Sequence, residues 1–281
     1  MVKRKISTIA MYAVLVLVLI VTLIPLLYTF TSSFKTSIEI LTSGKFFAEN
    51  PSFNNYIEAW NSKELQVARQ FFNSTVYCMC NVFITIAVST MAGYVFSVGH
   101  FKGKKIIFAC FTFLMFVKLG GISIYPTFEV FDLLHLPINL YGLILVHLFS
   151  VPIVNIYLVK GFMNGIPHSI LEAGKIDGCS FFQRFTRIVF PLLKPIVATI
   201  TILAFQCSWN DYIMPTIFTL TRPEQRTLIV GLMALKSSGG AASSWHLMLA
   251  GTIISILPVI VIYIICNRYF IEGITAGAEK G

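Results

Sequence analysis

Charge is scarce in this chain. Only 12% of its 281 residues are Asp, Glu, Lys or Arg, where soluble domains carry about a quarter. That shortage excludes a large soluble core. Acids are fewest, 12 against 21 Lys and Arg. No aspartate-rich cluster of the kind that binds metal in a membrane transferase occurs, and His100, His135, His147, His168 and His246 are scattered. The pattern names no catalytic residue and no metal ligand set, and His147, on an apolar face, reads as a satisfied interior histidine. Cysteine is sparse too. Cys78, Cys80, Cys110, Cys179, Cys207 and Cys266 fall in or beside apolar runs without metal-ligand spacing, so they read as buried thiols with no disulfide framework. A phosphate-binding loop is missing: Gly99 to Lys105 has its glycines one residue too close, and no Ser or Thr follows the lysine. ATP is therefore not bound by that device. The net charge of +9 invites a nucleic-acid reading, but that needs a basic patch on a soluble face. Here the basic residues lie in short loops between apolar runs, so no nucleic-acid partner is expected.

What the chain has is apolar length. Hydrophobic residues make up 56% of it and its mean hydropathy is +0.80. Six runs are long enough to cross about 30 Å of hydrocarbon: Ile9–Phe30, Val76–Val98, Ile106–Tyr125, Leu140–Val159, Pro195–Met214 and Leu247–Cys266. Runs of this length satisfy their backbone in lipid as helices, so the spacing predicts an all-α polytopic membrane protein with six transmembrane helices. Lys3-Arg4-Lys5 before the first run resembles a signal peptide. The run is too long for one and lacks a cleavage site, so it is expected to stay as the first span.

Orientation follows from the basic residues. With the N-terminus in the cytoplasm, the inner segments carry Lys3, Arg4, Lys5, Lys102, Lys104, Lys105, Lys160, Lys175, Arg184, Arg187, Lys194, Arg268 and Lys280. The outer ones, though longer, carry Lys35, Lys45, Lys63, Arg69, Arg222, Arg226 and Lys236. That asymmetry places both termini in the cytoplasm. Residues 1–70 then form an N-terminal segment, first span and external loop, residues 71–266 a five-helix core, and residues 267–281 a cytoplasmic tail. Pro25, Pro152 and Pro258 lie within spans and can kink them. Gly239 and Gly240 sit in a run of small residues, which is either a flexible linker or a tip that reaches a partner.

Between the fourth and fifth spans lies a punctuated, two-signed segment, the core of a loop over residues 161–194. Pro167 suits a first helical turn. Asp177-Gly178 reads as a stop, and Ser180-Phe181-Phe182-Gln183 as a capping box that opens a second short helix. Two helices at about a right angle on the membrane face are expected. Ala173 and Gly174 would admit another protein closely, and Phe182 and Phe185 would fill a hydrophobic cleft. A loop that merely covers the membrane surface fits the residues equally well.

Glu172-Ala173-Gly174, then Asp177-Gly178, then Ile188-x-x-Pro191 closely resembles the EAA motif of permease subunits of bacterial ABC importers. Gly174 stands where that motif has its second alanine, Cys179 where alanine is usual, and Phe190 where it has leucine. Trp209-Asn210-Asp211 with Pro215, Tyr141-Gly142-Leu143-Ile144 and the tail from Arg268 resemble the maltose-type carbohydrate subgroup. The resemblance implies a type-I ABC importer permease fold with cytoplasmic coupling helices in a bacterial cell membrane. Glu172, Ala173, Gly174, Asp177, Gly178, Phe182 and Phe185 would then meet an ATPase. The tail residues Gly277, Ala278, Glu279, Lys280 and Gly281 would reach the ATPase dimer, and Gly239 and Gly240 an external solute-binding protein. Partners would be a second permease subunit, two ATPase subunits, that binding protein and a carbohydrate. ATP and Mg2+ would sit on the ATPases, and this chain would bind no cofactor.

Two further features bear on a pathway. Lys118 is the one basic residue well inside a span, either lining a cavity or paired within the subunit. Trp209, Asn210 and Asp211 offer an aromatic face with amide and carboxylate hydrogen bonds, which sugars bind well, although Trp209 as an interfacial anchor is nearly as good a reading. An importer permease for a non-sugar solute, or a polytopic membrane enzyme acting on lipid or glycan, remains open.

Overall fold

The computed structural model describes residues 2–62, 65–117, 120–237 and 241–278. Among them the regular structure is helical throughout. Three helices are long and apolar enough to cross a membrane, over Thr8–Ser32, Val67–Val98 and Ser244–Asn267. Among the described residues two bent pairs raise the number to five if each is counted as one span: Leu140–Phe149 with Ile153–Met163, at 43°, and Phe181–Leu192 with Lys194–Trp209, at 78°. The expected third run, 106–125, does not form one helix. It is divided between α5 (Lys104–Leu114), a 3-10 turn at Gly120–Ser123 and α6 (Ile124–Leu133). Gly120-Gly121 and Lys118 mark that division in the sequence, although Lys118 itself lies outside the described residues. Pro152 accounts for the bend between α7 (Leu140–Phe149) and α8 (Ile153–Met163), because a proline there withholds a backbone donor.

The chain forms two compact units. The first comprises Met1–Gln70 with Val230–Leu257. Its leading helix α1 (Val2–Ser32) has no buried residue in its most apolar stretch. After it the chain turns through α2 (Ser37–Thr42) and α3 (Asn54–Asn61). The Asn55 amide pins that turn, donating to the Ser33 carbonyl at 2.8 Å and the Lys35 carbonyl at 2.9 Å. Lys35 is fully buried, with its ammonium on the Lys45 carbonyl at 2.5 Å. In the same unit, Gln70 lies so close to Gly231 that a β-carbon there would be 2.0 Å from Gln70 Oε1.

The second unit comprises Phe71–Ile229 with Pro258–Gly281. One core packs Tyr94 of α4 (Val67–Val98), Val159 and Met163 of α8, and the residues Leu171, Phe185, Val189, Leu193, Ile196 and Ile200 that follow. Gly93 makes the α4–α8 approach possible, because a β-carbon there would be 2.4 Å from Val159 Cγ1. A second core joins Tyr77, Phe131, Leu140, Leu143 and Phe218. Gly142 is required by its surroundings as well: a β-carbon would strike the Pro137 carbonyl at 2.0 Å. Asn73 and Ser74, the first two residues of an Asn-x-Thr triplet, are used internally. Asn73 donates to the Glu224 and Arg226 carbonyls, at 2.9 and 3.0 Å, and Ser74 Oγ accepts from the Leu228 N–H at 2.8 Å. Lys104, in the stretch that imitates a phosphate loop, donates to the Gly99 and Ser97 carbonyls and so satisfies the end of α4.

Candidate functional site

The loop between the fourth and fifth runs is built from local signals. Helix α9 (His168–Ile176) follows Pro167 and stops at Asp177. Gly178 takes φ +75, a left-handed position that costs residues with a β-carbon about 1 kcal/mol or more. The Cys179 N–H then bonds the Gly174 carbonyl at 3.0 Å and the Gly178 N–H the Lys175 carbonyl at 3.2 Å, a Schellman ending. Helix α10 (Phe181–Arg184) opens with the full capping box: Ser180 Oγ accepts from the Gln183 N–H at 3.2 Å, and Gln183 Oε1 accepts from the Ser180 N–H at 2.8 Å. A π-turn over Phe185–Val189 follows, closed by the Phe190 N–H on the Phe185 carbonyl. Then come α11 (Phe190–Leu192) and the sharp bend into α12 (Lys194–Trp209).

This module has an inner and an outer face. Leu171, Gly174, Phe185 and Val189 point inward. Tyr94 braces it from α4: its ring lies 4.6 Å from that of Phe181 and 5.4 Å from that of Phe185, and its hydroxyl donates to the Phe181 carbonyl at 3.2 Å. Burying each large apolar side chain stabilises the module by about 1.5–3 kcal/mol. The outer face carries Glu172, Ala173, Asp177 and Phe182, together with Ile176, which is 86% exposed. Ile176 follows Glu172 and Ala173 by four and three positions, so the three share one helical face.

Two of the expected contact residues are therefore placed otherwise. A β-carbon at Gly174 would lie 2.4 Å from Ile188 Cδ1. The close approach that this glycine permits is to the chain's own π-turn, which carries Ile188. Phe185 belongs to the Tyr94 core and does not offer its ring to a cleft. Ile176, by contrast, belongs to none of the sequence motifs, although its spacing from Glu172 carries the signal.

A profile described as "Binding-protein-dependent transport system inner membrane component" matches residues 4–274. This chain belongs to that family. Members are permease subunits of an importer, and the chain is accordingly a protein of the inner membrane. It is 34% identical over 262 residues to the arabinooligosaccharides transport system permease protein AraQ of Bacillus subtilis, covering 92% of this chain and 91% of the relative. The galactooligosaccharides transport system permease protein GanQ of the same organism is 31% identical over 281 residues, covering 100% and 98%. A crystal structure of a bacterial ABC transporter involved in the import of the acidic polysaccharide alginate contains a chain that superposes with a TM-score of 0.81 at 25% identity, covering 95% of this chain and 97% of that one.

The second region of the permease is polar. Tyr77 of α4 donates its hydroxyl to Asp211 Oδ2 at 2.8 Å, and His147 Nε2 of α7 lies 2.9 Å from the Tyr77 hydroxyl oxygen. A phenol has one proton. With the carboxylate ionised that proton goes to Asp211, so the phenol oxygen accepts from His147 and Nε2 carries the imidazole proton. The three side chains thus form a directed chain from imidazole to phenol to carboxylate. His147 is satisfied in the interior, as its sequence context predicts.

The sugar-facing trio is arranged differently from expectation. α12 ends at Trp209, so Asp211 lies beyond the helix. Trp209 is only 6% exposed; Phe205 stacks on its ring at 5.4 Å and Phe71 meets it edge-on at 5.7 Å. Its aromatic face is occupied by the protein in this conformation. Asn210 is exposed, but its amide donates to the Gln206 carbonyl at 2.9 Å. Gly277 and Ala278 continue the helix Ala241–Ala278, so the expected tail is helical up to that point. Lys118, Gly239, Gly240, Glu279, Lys280 and Gly281 lie outside the described residues. Among the described residues no group of His, Cys, Asp and Glu is arranged to hold a metal ion.

Proposed function

We propose that this permease moves a carbohydrate through the membrane by alternating access, driven by ATP hydrolysis on separate subunits. The single observation that carries the reading is the α9 module: an exposed Glu172, Ala173, Ile176 and Phe182 surface set on a ledge that is rooted in the same core as α4, α8 and α12. A load applied at Ile176 reaches the spans through packed side chains, because cores are stiff. The chain itself holds no nucleotide; ATP and Mg2+ belong to two ATPase partners. A second permease subunit completes the pathway as a heterodimer, and a solute-binding protein delivers the sugar from outside.

The sided arrangement follows from charge. Both termini and the α9 module face the cytoplasm, where Lys160, Lys175, Arg184, Arg187 and Lys194 gather. Glu172, Ala173, Asp177, Gly178 and Phe182 meet the ATPase, while Gly174 and Phe185 hold the module's shape. The C-terminal residues 277–281 approach the ATPase pair, and Gly239 and Gly240 the binding protein. Lys118 and Asn210 line the pathway; Trp209 and Asp211 join them only in a conformation that releases Phe205 and Tyr77. The sugar assignment rests on relatives such as the arabinooligosaccharide and galactooligosaccharide permeases and the melibiose/raffinose/stachyose import permease protein MelC of Bacillus subtilis, 30% identical over 266 residues, covering 92% of this chain and 91% of it.

The test is the assembled transporter in proteoliposomes with Gly178→Trp. Uptake of the sugar retained by the binding protein should fall at least tenfold while the ATPases continue to turn over. Unchanged uptake removes the coupling role.

A further inference from the structure

We propose that residues 34–57 form a lipid-binding collar, with the rings of Phe47 and Phe53 seated at the headgroup–acyl boundary of the leaflet at the Ser32 end of α1. The span Thr8–Ser32 has 25 residues, about 37 Å at 1.5 Å per residue, against about 30 Å of hydrocarbon. The helix is thus longer than the hydrocarbon layer is thick, and we place the excess at its Ser32 end, where the aromatic rings gather. Two ring chains tie the collar to that end. Tyr28 meets Phe46 at 5.9 Å, and Phe46 meets Phe47 at 5.3 Å. Phe30 meets Phe34 at 5.3 Å, and Phe34 meets Phe53 at 5.1 Å.

The ties are polar as well. The Lys35 ammonium on the Lys45 carbonyl and the Asn55 amide on two carbonyls hold the segment beside the end of the span. Phe47 and Phe53 are 72% and 73% exposed, and Tyr28 and Phe30, to which they are linked, are exposed too. The apolar surface is thus continuous with that of a span that has no buried residue in its most apolar stretch. Close by, Lys45 and Glu49 form an exposed ion pair at 2.6 Å, as suits a charged headgroup layer. Aromatic rings favour this depth because one part of the surface is apolar and the other wet. That continuity selects lipid over a soluble partner.

The test places p-benzoylphenylalanine at Phe47 in one variant and at Phe53 in another. The whole transporter is irradiated in nanodiscs of phosphatidylethanolamine and phosphatidylglycerol, with the binding protein present. Each peptide should gain the mass of one phospholipid. Photoadducts to the binding protein or to the second permease subunit, or peptides left without lipid at both positions, overturn the proposal. Because both residues are exposed and the replacement keeps an aromatic ring, folding is not at stake in either variant.

Discussion

Ile188 Cδ1 occupies the space that a side chain at Gly174 would fill, 2.4 Å from the position of a β-carbon. The obstructing atom is the free end of a flexible side chain, so a methyl group can be admitted by a rotamer change while a larger group cannot. Gly174→Ala should therefore keep uptake within about twofold, since the roughly 1 kcal/mol gained in helix propensity offsets the shift of Ile188. Gly174→Leu should separate α9 from the π-turn and lower the midpoint of thermal unfolding. Uptake and ATP turnover measured side by side in proteoliposomes check both variants.

Ile176 separates association from folding. Its side chain is exposed, so Ile176→Asp should leave the melting temperature of the subunit within about a degree. A buried interfacial anchor is worth about 2 kcal/mol or more, so the ATPase should be lost from the purified complex by a factor of about 30 in affinity. Equal co-purification of the ATPase with Ile176→Asp and the parent chain would show that this face is not the docking surface.

Gly178 needs its positive φ and not its small size, because nothing lies within 4 Å of where a β-carbon would be. Asn tolerates the left-handed region and β-branched residues do not. Gly178→Asn should retain most coupled uptake, and Gly178→Val should lose it. The reverse order would indicate that bulk at the contact matters more than the turn.

Tyr77 joins α4, α7 and the turn after α12 through one oxygen. Tyr77→Phe keeps the ring and removes that bridge, leaving His147 and Asp211 without it at a cost of about 1–3 kcal/mol. The same loss should appear in Asp211→Asn only in part, because an amide oxygen still accepts. A double-mutant cycle read by thermal melting of the complex should give a coupling energy of about 1 kcal/mol between the two positions.

Gly231→Ala would drive a methyl group into the Gln70 side chain, 2.0 Å from its Oε1. Overpacking of that sort costs about 1–3 kcal/mol. Gln70→Ala should rescue it, since it opens the space and removes a buried oxygen that has no partner among the described residues. Absence of rescue would mean that the clash is relieved elsewhere.

Residues that act on their own neighbours were legible in the sequence. Ser180 and Gln183 cap each other across three positions, and Gly178 stops a helix in its own last turn, so both follow from short-range chemistry. Facing was harder. Gly174 can serve an external surface or an internal one, and only the position of Ile188, fourteen residues on, decides between them. Trp209 has the composition of a sugar platform, yet Phe71 and Phe205 cover it, and Phe71 is far away in the chain. Tyr77 was invisible in an apolar run because its partners are 70 and 134 positions distant. The third run failed as one helix where two glycines follow Lys118, a break that hydropathy alone averages away.

The π-turn at Phe185–Val189 has a further consequence, for the length of the chain. A turn closed from residue 190 to residue 185 holds one residue more than an α-turn does. Removing one amino acid there would let the backbone relax to ordinary helical spacing while α9 and α12 keep their directions. Elsewhere in a helix a one-residue deletion rotates everything downstream by about 100°. This short stretch is thus where a one-residue deletion between α9 and α12 should disturb the subunit least.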